Sequence, residues 1–171
     1  FTERGAWVCR RLFHKLKETG EECEAIIPKR FLREEWKKEG LKEREEEFLS
    51  QWTGKMFAEK RAMIFVSATG IAVRAIAPWI RDKMTDPPVV TVDEGAQFVI
   101  PLLSGHVGGA NELARHIADW LEAVPVITTA TDVNGKFAVD LFASAYHMTI
   151  IDRKEAKNIS AAVLEGKQIG V

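Results

Sequence analysis

The chain has 171 residues, of which 46% are hydrophobic and 29% are charged, so it is long enough for one globular domain, or for one domain and the start of another. This composition excludes a disordered, collagen-like or disulfide-dense protein, and the formal net charge of -1 provides no basic field for nucleic acid or an anionic membrane. Only Cys9 and Cys23 are present, the sequence contains no h-region of a signal peptide, and no apolar run approaches the ~20 residues that span a bilayer, so we expect a cytoplasmic protein.

The first 61 residues carry dense charge of both signs. Residues 2–6 are typical of a strand end that turns into a helix, so we expect the sequence to start within or just after a first strand. A helix follows, with apolar positions at Cys9, Leu12 and Leu16, and both cysteines are interpreted as small buried apolar groups. Residues 33–39 and 43–47 are predicted to be helices with solvated, mixed-charge faces.

Residues 62–140 are poorer in charge and alternate between short apolar runs and amphipathic segments. Strands are predicted at 62–68, 89–92, 97–100 and 124–128, and the second and third form a hairpin or lie side by side. A helix is predicted over 69–80, with a kink or restart at Pro78. Further helices are predicted after residue 110 and over 138–145, whereas residues 129–135 are interpreted as a loop.

The alternation of strands and helices predicts the fold class. We expect an α/β domain with a three-layer, Rossmann-like open sheet that is mostly parallel and carries helices on both faces. This N-terminal domain is expected to cover residues 1–147, without the start of its first strand. Residues 148–171 are interpreted as the beginning of a truncated middle or linker segment, with strands at 148–151 and 168–171 around a helix at 153–165.

Three polar loops follow predicted strands and provide the candidate binding site. In an open α/β sheet, ligands bind beyond the carboxyl ends of the strands, where glycine backbone and helix N-termini favour anionic oxygen. The candidate substrate-binding residues are Thr69, Gly70 and Arg74 in the first loop, Ser104, Gly105, Gly108, Gly109 and Asn111 in the second, and Thr128, Thr131, Asn134 and Lys136 in the third.

His106 and Asp132 are the candidate catalytic residues. His106 lies in the second loop, directly before a helix, where an imidazole can act as a general base or as a hydrogen-bond donor. Its structural alternative is a histidine that braces the loop. Asp132 belongs to a cluster of hydroxyl, carboxylate and amide side chains, for which the alternative is a turn that bonds its own backbone.

Arg74 and Lys136 are scarce cations in a charge-poor region. Either can meet a substrate carboxylate, and the alternative is an ion pair with an aspartate such as Asp93 or Asp140. No two histidines have metal-ligand spacing and no cysteine pair is closely spaced, so we predict no protein-bound metal. The glycines match neither a Walker loop nor the dinucleotide fingerprint, which disfavours nucleotide binding.

Five sequence blocks together resemble one known family. They are TGIAVRAIAP at 69–78, TDPPVV at 85–90, VDEG at 92–95, LSGHVGGANELA at 103–114 and PVITTATDVN at 125–134. In this order they resemble the N-terminal region of the cobalt-precorrin-5A hydrolase family. The similarity is close over residues 60–142 and looser before them. Full-length members of that family continue through a middle segment into a separate C-terminal domain.

The resemblance implies an enzyme of the anaerobic, early-cobalt branch of cobalamin biosynthesis. Members of the family open the δ-lactone of cobalt-precorrin-5A, release acetaldehyde and give cobalt-precorrin-5B. The implied partner is therefore a polycarboxylate, cobalt-containing corrinoid precursor that brings its own metal, so no cofactor is expected. A homodimer and contacts with other corrin-pathway enzymes stay open as further partners.

The resemblance also leads to a catalytic hypothesis. His106, or a water that it orients, attacks the lactone carbonyl, while N–H groups around Gly108 and Gly109 stabilise the oxyanion. The acetate side chain or the departing fragment is oriented by Thr128, Thr131 and Asp132. The main alternative is a non-catalytic module that binds a tetrapyrrole intermediate, with catalysis in the C-terminal domain or in a partner. A nucleotide-binding Rossmann-like domain is the weaker alternative.

Overall fold

The computed structural model describes residues 2–44, 49–146 and 148–169. Two short strands, β1 (Ile26–Ile27) and β2 (Lys42–Glu43), form a parallel pair. Four further strands form a second sheet in chain order: β3 (Met63–Val66), β4 (Val89–Val92), β5 (Phe98–Leu103) and β6 (Val124–Pro125). β3 with β4 and β5 with β6 are parallel pairs, and β4 with β5 is antiparallel.

Eight α-helices lie in the described part of the chain. They are α1 (Glu3–Glu18), α2 (Glu34–Lys38), α3 (Leu49–Ala58), α4 (Thr69–Ile76), α5 (Ala110–Leu121), α6 (Ala130–Val133), α7 (Val139–Ala145) and α8 (Arg153–Leu164). Thr2 caps the N-terminus of α1, and its hydroxyl accepts the Gly5 N–H. The helix predicted over 69–80 becomes a 3-10 turn at Ala77–Trp79, because Pro78 has no N–H to continue the α-helical ladder.

Helices cover both faces of the four-stranded sheet, which confirms the predicted α/β class. On one face, α1 and α5 bury Leu12, Ala114 and Ile117 against Val90, Val92 and Val99 of the sheet. On the other face, α3 and α4 pack Trp52, Ala72 and Ile76 against Met63 and Phe65. All four residues of β4 are buried, as expected for a strand with both faces covered.

β4 and β5 form the predicted hairpin, and its turn is stabilised by Asp93. The Asp93 carboxylate accepts hydrogen bonds from the backbone N–H groups of Gly95, Gln97 and Phe98 at 2.6–2.9 Å. Because the hairpin reverses the chain, Leu103 at the end of β5 pairs with Val89 at the start of β4. The carboxyl end of β5 therefore lies at the amino ends of β3 and β4.

This reversal corrects one expectation about the candidate loops. The second and third loops follow the parallel strands β5 and β6 and lie at the same end of the sheet. The first loop follows β3, which runs in the opposite direction to β5, so Thr69, Gly70 and Arg74 lie at the other end. The expectation that all three loops meet at one edge is wrong, because the hairpin makes β5 antiparallel to β3.

Several boundaries also differ from the sequence predictions. The predicted loop at 129–135 contains α6, and the strand predicted over 124–128 is limited to Val124–Pro125. Residues 148–151 and 168–169 are not in strands, and residues 170–171 lie outside the described residues. Glu43 pairs in β2 and is not helical, while 45–48 of that predicted helix lie outside the described residues. The helix predicted over 153–165 is confirmed as α8.

Candidate active site

The loop after β5 is held in a tight conformation by its own backbone. Ser104 has a left-handed backbone with φ 57°, and its hydroxyl donates to the Asp86 carbonyl at 2.7 Å. A Cβ at Gly108 would lie 2.4 Å from the Ser104 Cβ, so only glycine fits there without rearrangement. The Ala110 N–H donates to the Ser104 carbonyl and the Asn111 N–H to the Gly105 carbonyl. These bonds fix His106 in the loop that enters α5.

His106 lies between two carboxylates from different helices. Its Nε2 is 2.7 Å from Asp132 Oδ2, and its Nδ1 is 3.3 Å from the Asp140 carboxylate. The Thr131 hydroxyl oxygen is a further neighbour of Nε2, at 3.1 Å. The side chains of His106, Asp132 and Asp140 are 14%, 12% and 21% exposed, so the imidazole is largely shielded and its Asp140 side is the more open one.

Asp132 is held by donors from α5 and from the loop before α6. Arg115 donates to Oδ1 at 2.5 Å, while the Thr129 hydroxyl and the Asn111 amide donate to Oδ2 at 2.5 and 3.1 Å. Burial alone raises the pKa of Asp132, but the hydrogen bonds from Thr129, Arg115 and His106 outweigh burial and hold that pKa well below its ordinary value. Asp132 is therefore a fixed carboxylate that orients the imidazole.

The structure brings together most of the second loop and part of the third. The cluster contains His106, Asp132, Asn111 and Thr131, and Ser104, Gly105 and Gly108 form the turn that supports it. Thr128, Asn134 and Lys136 are exposed. The Asn134 amide donates to the Ala130 carbonyl at 2.8 Å. Arg74 donates to the Gly70 carbonyl, at the opposite end of the sheet.

Three residues of the cluster are not among the candidate site residues: Arg115, Thr129 and Asp140. Thr129 is expected only as part of the polar cluster of the third loop, and Asp140 only as an ion-pair partner of Arg74 or Lys136. Arg115 lies four positions after Asn111 and therefore on the same face of α5, which is a spacing that could have identified it. Thr129 is adjacent in sequence to the selected loop residues. Asp140 lies in the first turn of α7, and no sequence spacing relates it to His106.

The backbone amides of the second loop differ in their availability. Gly109, Ala110 and Asn111 donate to carbonyls of the loop, so their N–H groups are already bonded. This corrects the expectation that the Gly109 N–H serves an oxyanion. Over the stretches that the structure describes, the N–H groups of residues 105–108 have no acceptor. The donors for an anionic oxygen are therefore confined to the segment around His106.

Two whole-chain findings bear on alternative functions. Within 2–44, 49–146 and 148–169, no group of three or more His, Cys, Asp or Glu side chains is placed to hold a metal ion. The absence of a resident metal stays a prediction. In the same described part of the chain, none of the helices has the length and apolar character needed to cross a bilayer.

Comparisons with known proteins point to one family. Residues 51–132 match the family model described as Cobalamin synthesis G N-terminal. Proteins named cobalt-precorrin-5A hydrolase are 47% identical over 116 residues in Salmonella typhimurium and 42% identical over 116 residues in Priestia megaterium. These matches cover 67% and 68% of this chain but 33% and 31% of the relatives. The chain thus spans about a third of the length of the curated relatives that it matches.

A solved structure is also similar. It is titled as a cobalamin biosynthesis protein G homolog from Sulfolobus solfataricus, and it is 26% identical to this chain. The match covers 73% of this chain and 47% of that chain, with a TM-score of 0.42.

Proposed function

The chain belongs, through residues 51–132, to the cobalamin synthesis G N-terminal family, and on that premise we propose that it acts in cobalamin biosynthesis as a cobalt-precorrin-5A hydrolase. The observation that carries this proposal is the His106 imidazole, fixed at Nε2 by Asp132 and facing Asp140 with Nδ1. A carboxylate that orients a histidine is a recurrent arrangement for general-base catalysis.

The first proposed step is hydrolysis of the lactone. A water beside His106 gives a proton to Nδ1 and adds to the lactone carbonyl. The ring C–O bond then breaks, and the departing alkoxide oxygen takes up the proton from His106. Asp132 stays ionised and holds Nε2, while Asp140 positions the water, because Nδ1 and its carboxylate are 3.3 Å apart on the more exposed side of the ring.

The second proposed step releases acetaldehyde. The new hydroxyl loses its proton, its oxygen forms a carbonyl, and the C–C bond to the macrocycle breaks. The electron pair of that bond stays on the macrocycle carbon, which then takes up a proton. Since the imidazole is free of its proton after the first step, His106 can accept the hydroxyl proton and return it to carbon.

The substrate is a cobalt-containing polycarboxylate, and the free amides of residues 105–108 are suitable donors for one of its carboxylates or for the oxyanion. Cobalt enters as part of this substrate, and we propose no further cofactor. The reducing cytoplasm is the proposed compartment, because Cys9 and Cys23 are both free thiols. A homodimer or contacts with other corrin-pathway enzymes stay open as partners.

The test is acetaldehyde release from cobalt-precorrin-5A, followed by coupled reduction of the aldehyde. We expect His106→Ala to lower the rate by about 10²–10⁴-fold, which is the usual contribution of a positioned general base. His116→Ala is the matched control, because His116 is exposed on α5 away from the cluster. Unchanged release by His106→Ala removes the proposed base. Pigment binding by the unaltered protein without any acetaldehyde identifies a binding module instead.

A further inference from the structure

Positive charge is scarce between residues 62 and 140, and most of it lies at one end of the four-stranded sheet. The lysines and arginines of this stretch are Arg74, Arg81, Lys83, Arg115 and Lys136. Arg74 lies at the carboxyl end of β3. The other four lie at the opposite end, where the loop after β5 holds His106. The few cations of this region therefore gather near the candidate active site.

Arg115 contacts the cluster directly. Its Nη2 donates to Asp132 Oδ1 at 2.5 Å, and the other oxygen of that carboxylate is 2.7 Å from His106 Nε2. A guanidinium group has five N–H donors, and over the described residues Asp132 is the one acceptor bonded to Arg115. The Arg115 side chain is 47% exposed, whereas that of Asp132 is 12% exposed. The remaining donors of Arg115 are therefore open to a second carboxylate, close to the imidazole.

Arg81 and Lys83 belong to a segment that is bonded to the His106 loop. The Asp86 carboxylate accepts the Arg81 N–H at 2.9 Å, and the Asp86 carbonyl accepts the Ser104 hydroxyl at 2.7 Å. Both Arg81 and Lys83 are exposed, and neither side chain has an ion-pair partner in the part of the chain that the structure describes.

The four cations lie on both sides of the His106 loop. β4 and β6 are the two neighbours of β5 in the sheet. Arg81 and Lys83 precede β4, whereas Arg115 and Lys136 lie on the β6 side, where α6 follows β6. The Lys136 side chain is exposed, and its backbone N–H donates to the carbonyl of Thr131, the residue before Asp132. A ligand over the loop therefore meets positive charge at two flanks.

We propose that Arg81, Lys83, Arg115 and Lys136 form a carboxylate-binding rim, with Arg115 as its central member, that holds the acid side chains of the substrate around His106. This inference rests on the proposed function, which makes the substrate a macrocycle with several carboxylates. Such a ligand carries its negative charges around its periphery, so separated cations match it better than one charged pocket. Arginine is suited to the central position because its planar fork binds a carboxylate through two N–H groups.

The rim also explains how an anionic substrate approaches a site that contains two carboxylates. Asp132 and Asp140 flank the imidazole of His106, so they repel a further negative charge placed beside it. If the acid side chains of the substrate bind at the rim, the uncharged lactone is the group that reaches Nδ1. The cations thereby select which part of the ligand meets the proposed base.

Loss of Arg115 should affect substrate binding more than the chemical step. Without Arg115, Asp132 Oδ2 still accepts hydrogen bonds from the Thr129 hydroxyl and the Asn111 amide. These bonds keep the carboxylate beside His106 Nε2. An arginine that only positioned Asp132 would instead lower kcat and leave the affinity for the substrate unchanged.

The experiment measures equilibrium binding of cobalt-precorrin-5A by its absorbance, together with KM and kcat for acetaldehyde release. We expect Arg115→Gln to raise Kd and KM by about 10-fold, the lower end for a charged hydrogen bond at a half-exposed position, and to lower kcat by less. Arg115→Lys keeps the charge without the fork and should give an intermediate Kd. The double variant Arg81→Gln/Lys83→Gln should raise Kd by about 3-fold, since these side chains are exposed.

Arg33→Gln is the matched control. Arg33 is 42% exposed and pairs with Glu3 at 2.9 Å, so it resembles Arg115 in exposure and in its ion pair. Glu3 lies in the first turn of α1, which starts at the carboxyl end of β3, because an ideal Cβ at Gly5 is 3.7 Å from the Val66 carbonyl oxygen. This is the end of the sheet opposite to His106, so Kd should not change. Added salt should weaken binding more in the unaltered protein than in Arg115→Gln.

The outcomes separate the rim from the proposed reaction. Acetaldehyde release with an unchanged Kd in Arg115→Gln, or an equal rise of Kd in Arg33→Gln, overturns the rim alone. Pigment binding without acetaldehyde refutes the proposed hydrolase, and the Kd values of the variants still decide whether the rim holds the ligand. If the unaltered protein binds no cobalt-precorrin-5A, both proposals are wrong.

Discussion

Replacement of Asp132 by Asn tests the central arrangement of the candidate site. The two carboxylate oxygens have only donors around them: Arg115 on Oδ1, and Asn111 and Thr129 on Oδ2, beside His106 Nε2. An Asn side chain has one acceptor end and one donor end. In either orientation its NH₂ group faces a donor, so the substitution breaks hydrogen bonds and also removes the charge that stabilises the cluster.

The size of the effect follows from burial and from the number of charged contacts. Each hydrogen bond to a charged group contributes about 1.5–3 kcal/mol, and loss of one partner from a buried ion pair costs about 3–5 kcal/mol. Because Arg115 is 47% exposed and Asp132 is 12% exposed, we expect the lower end, about 3 kcal/mol in the free energy of unfolding. The rate of acetaldehyde release should fall by roughly 10⁴-fold, as when a histidine loses its orienting carboxylate.

Denaturant unfolding at neutral pH measures the loss of stability in Asp132→Asn. The control is Asp119→Asn, since Asp119 is exposed on α5.

The pH dependence of the free energy of unfolding provides a second measurement. Since folding lowers the pKa of Asp132, its stabilisation is complete above the ordinary aspartate value of about 4 and is lost as the pH falls through the lower folded value. The variant lacks this acid-dependent loss. If Asp132→Asn changes stability by less than about 0.5 kcal/mol, the carboxylate does not organise the cluster.

Two further predictions concern the backbone of the loop and the partly buried thiol of Cys9. Gly108→Ala should lower the free energy of unfolding, measured with denaturant, by about 2 kcal/mol or more, because the new Cβ lies 2.4 Å from that of Ser104. Gly109→Ala should cost about 1 kcal/mol, because Gly109 has φ +83° but open space around its Cβ position. Equal costs for the two variants would contradict the close approach of Gly108 to Ser104. Burial raises the pKa of Cys9 to about 11, so its alkylation rate should rise with pH up to that value, and a plateau below pH 9 would refute the burial.

The elements of the fold were largely predictable because their signals are local. The apolar run around β3, the turn chemistry at Asp93 and the helical spacing in α5 each depend on neighbouring residues only. The strand predicted at 148–151 is wrong, and residues 168–169 of the strand predicted at 168–171 are not in a strand either, because apolar residues alone do not make a strand without a partner edge. Ile151 is 98% exposed, so its side chain packs against no sheet among the described residues.

The candidate site was predictable only in part, because its geometry depends on contacts between distant elements. The glycines around His106 and the polar run around Asp132 marked the two loops, and these loops do meet. The contact between Asp140 and His106 could not be inferred from the sequence, since it depends on how α7 packs after a turn of several residues. Arg115 lies on α5, and an arginine on a surface helix is ordinarily interpreted as a solvent-exposed residue, so the sequence did not mark it as part of the site.

The antiparallel β5 explains why the site relies on side-chain charges rather than on a helix dipole. In an all-parallel sheet, the loop after β5 would join the loop after β3, and two helix N-termini would converge on one ligand. Here the hairpin makes β5 antiparallel to β4. The first N–H groups of α5, those of Ala110 and Asn111, already donate to the Ser104 and Gly105 carbonyls. An anion at this end therefore meets the free amides of 105–108 and a histidine whose nitrogens already face carboxylates. Nδ1 of His106 is 3.3 Å from the Asp140 carboxylate, so a ligand that brings a water to Nδ1 meets less repulsion there than one that brings a second negative charge.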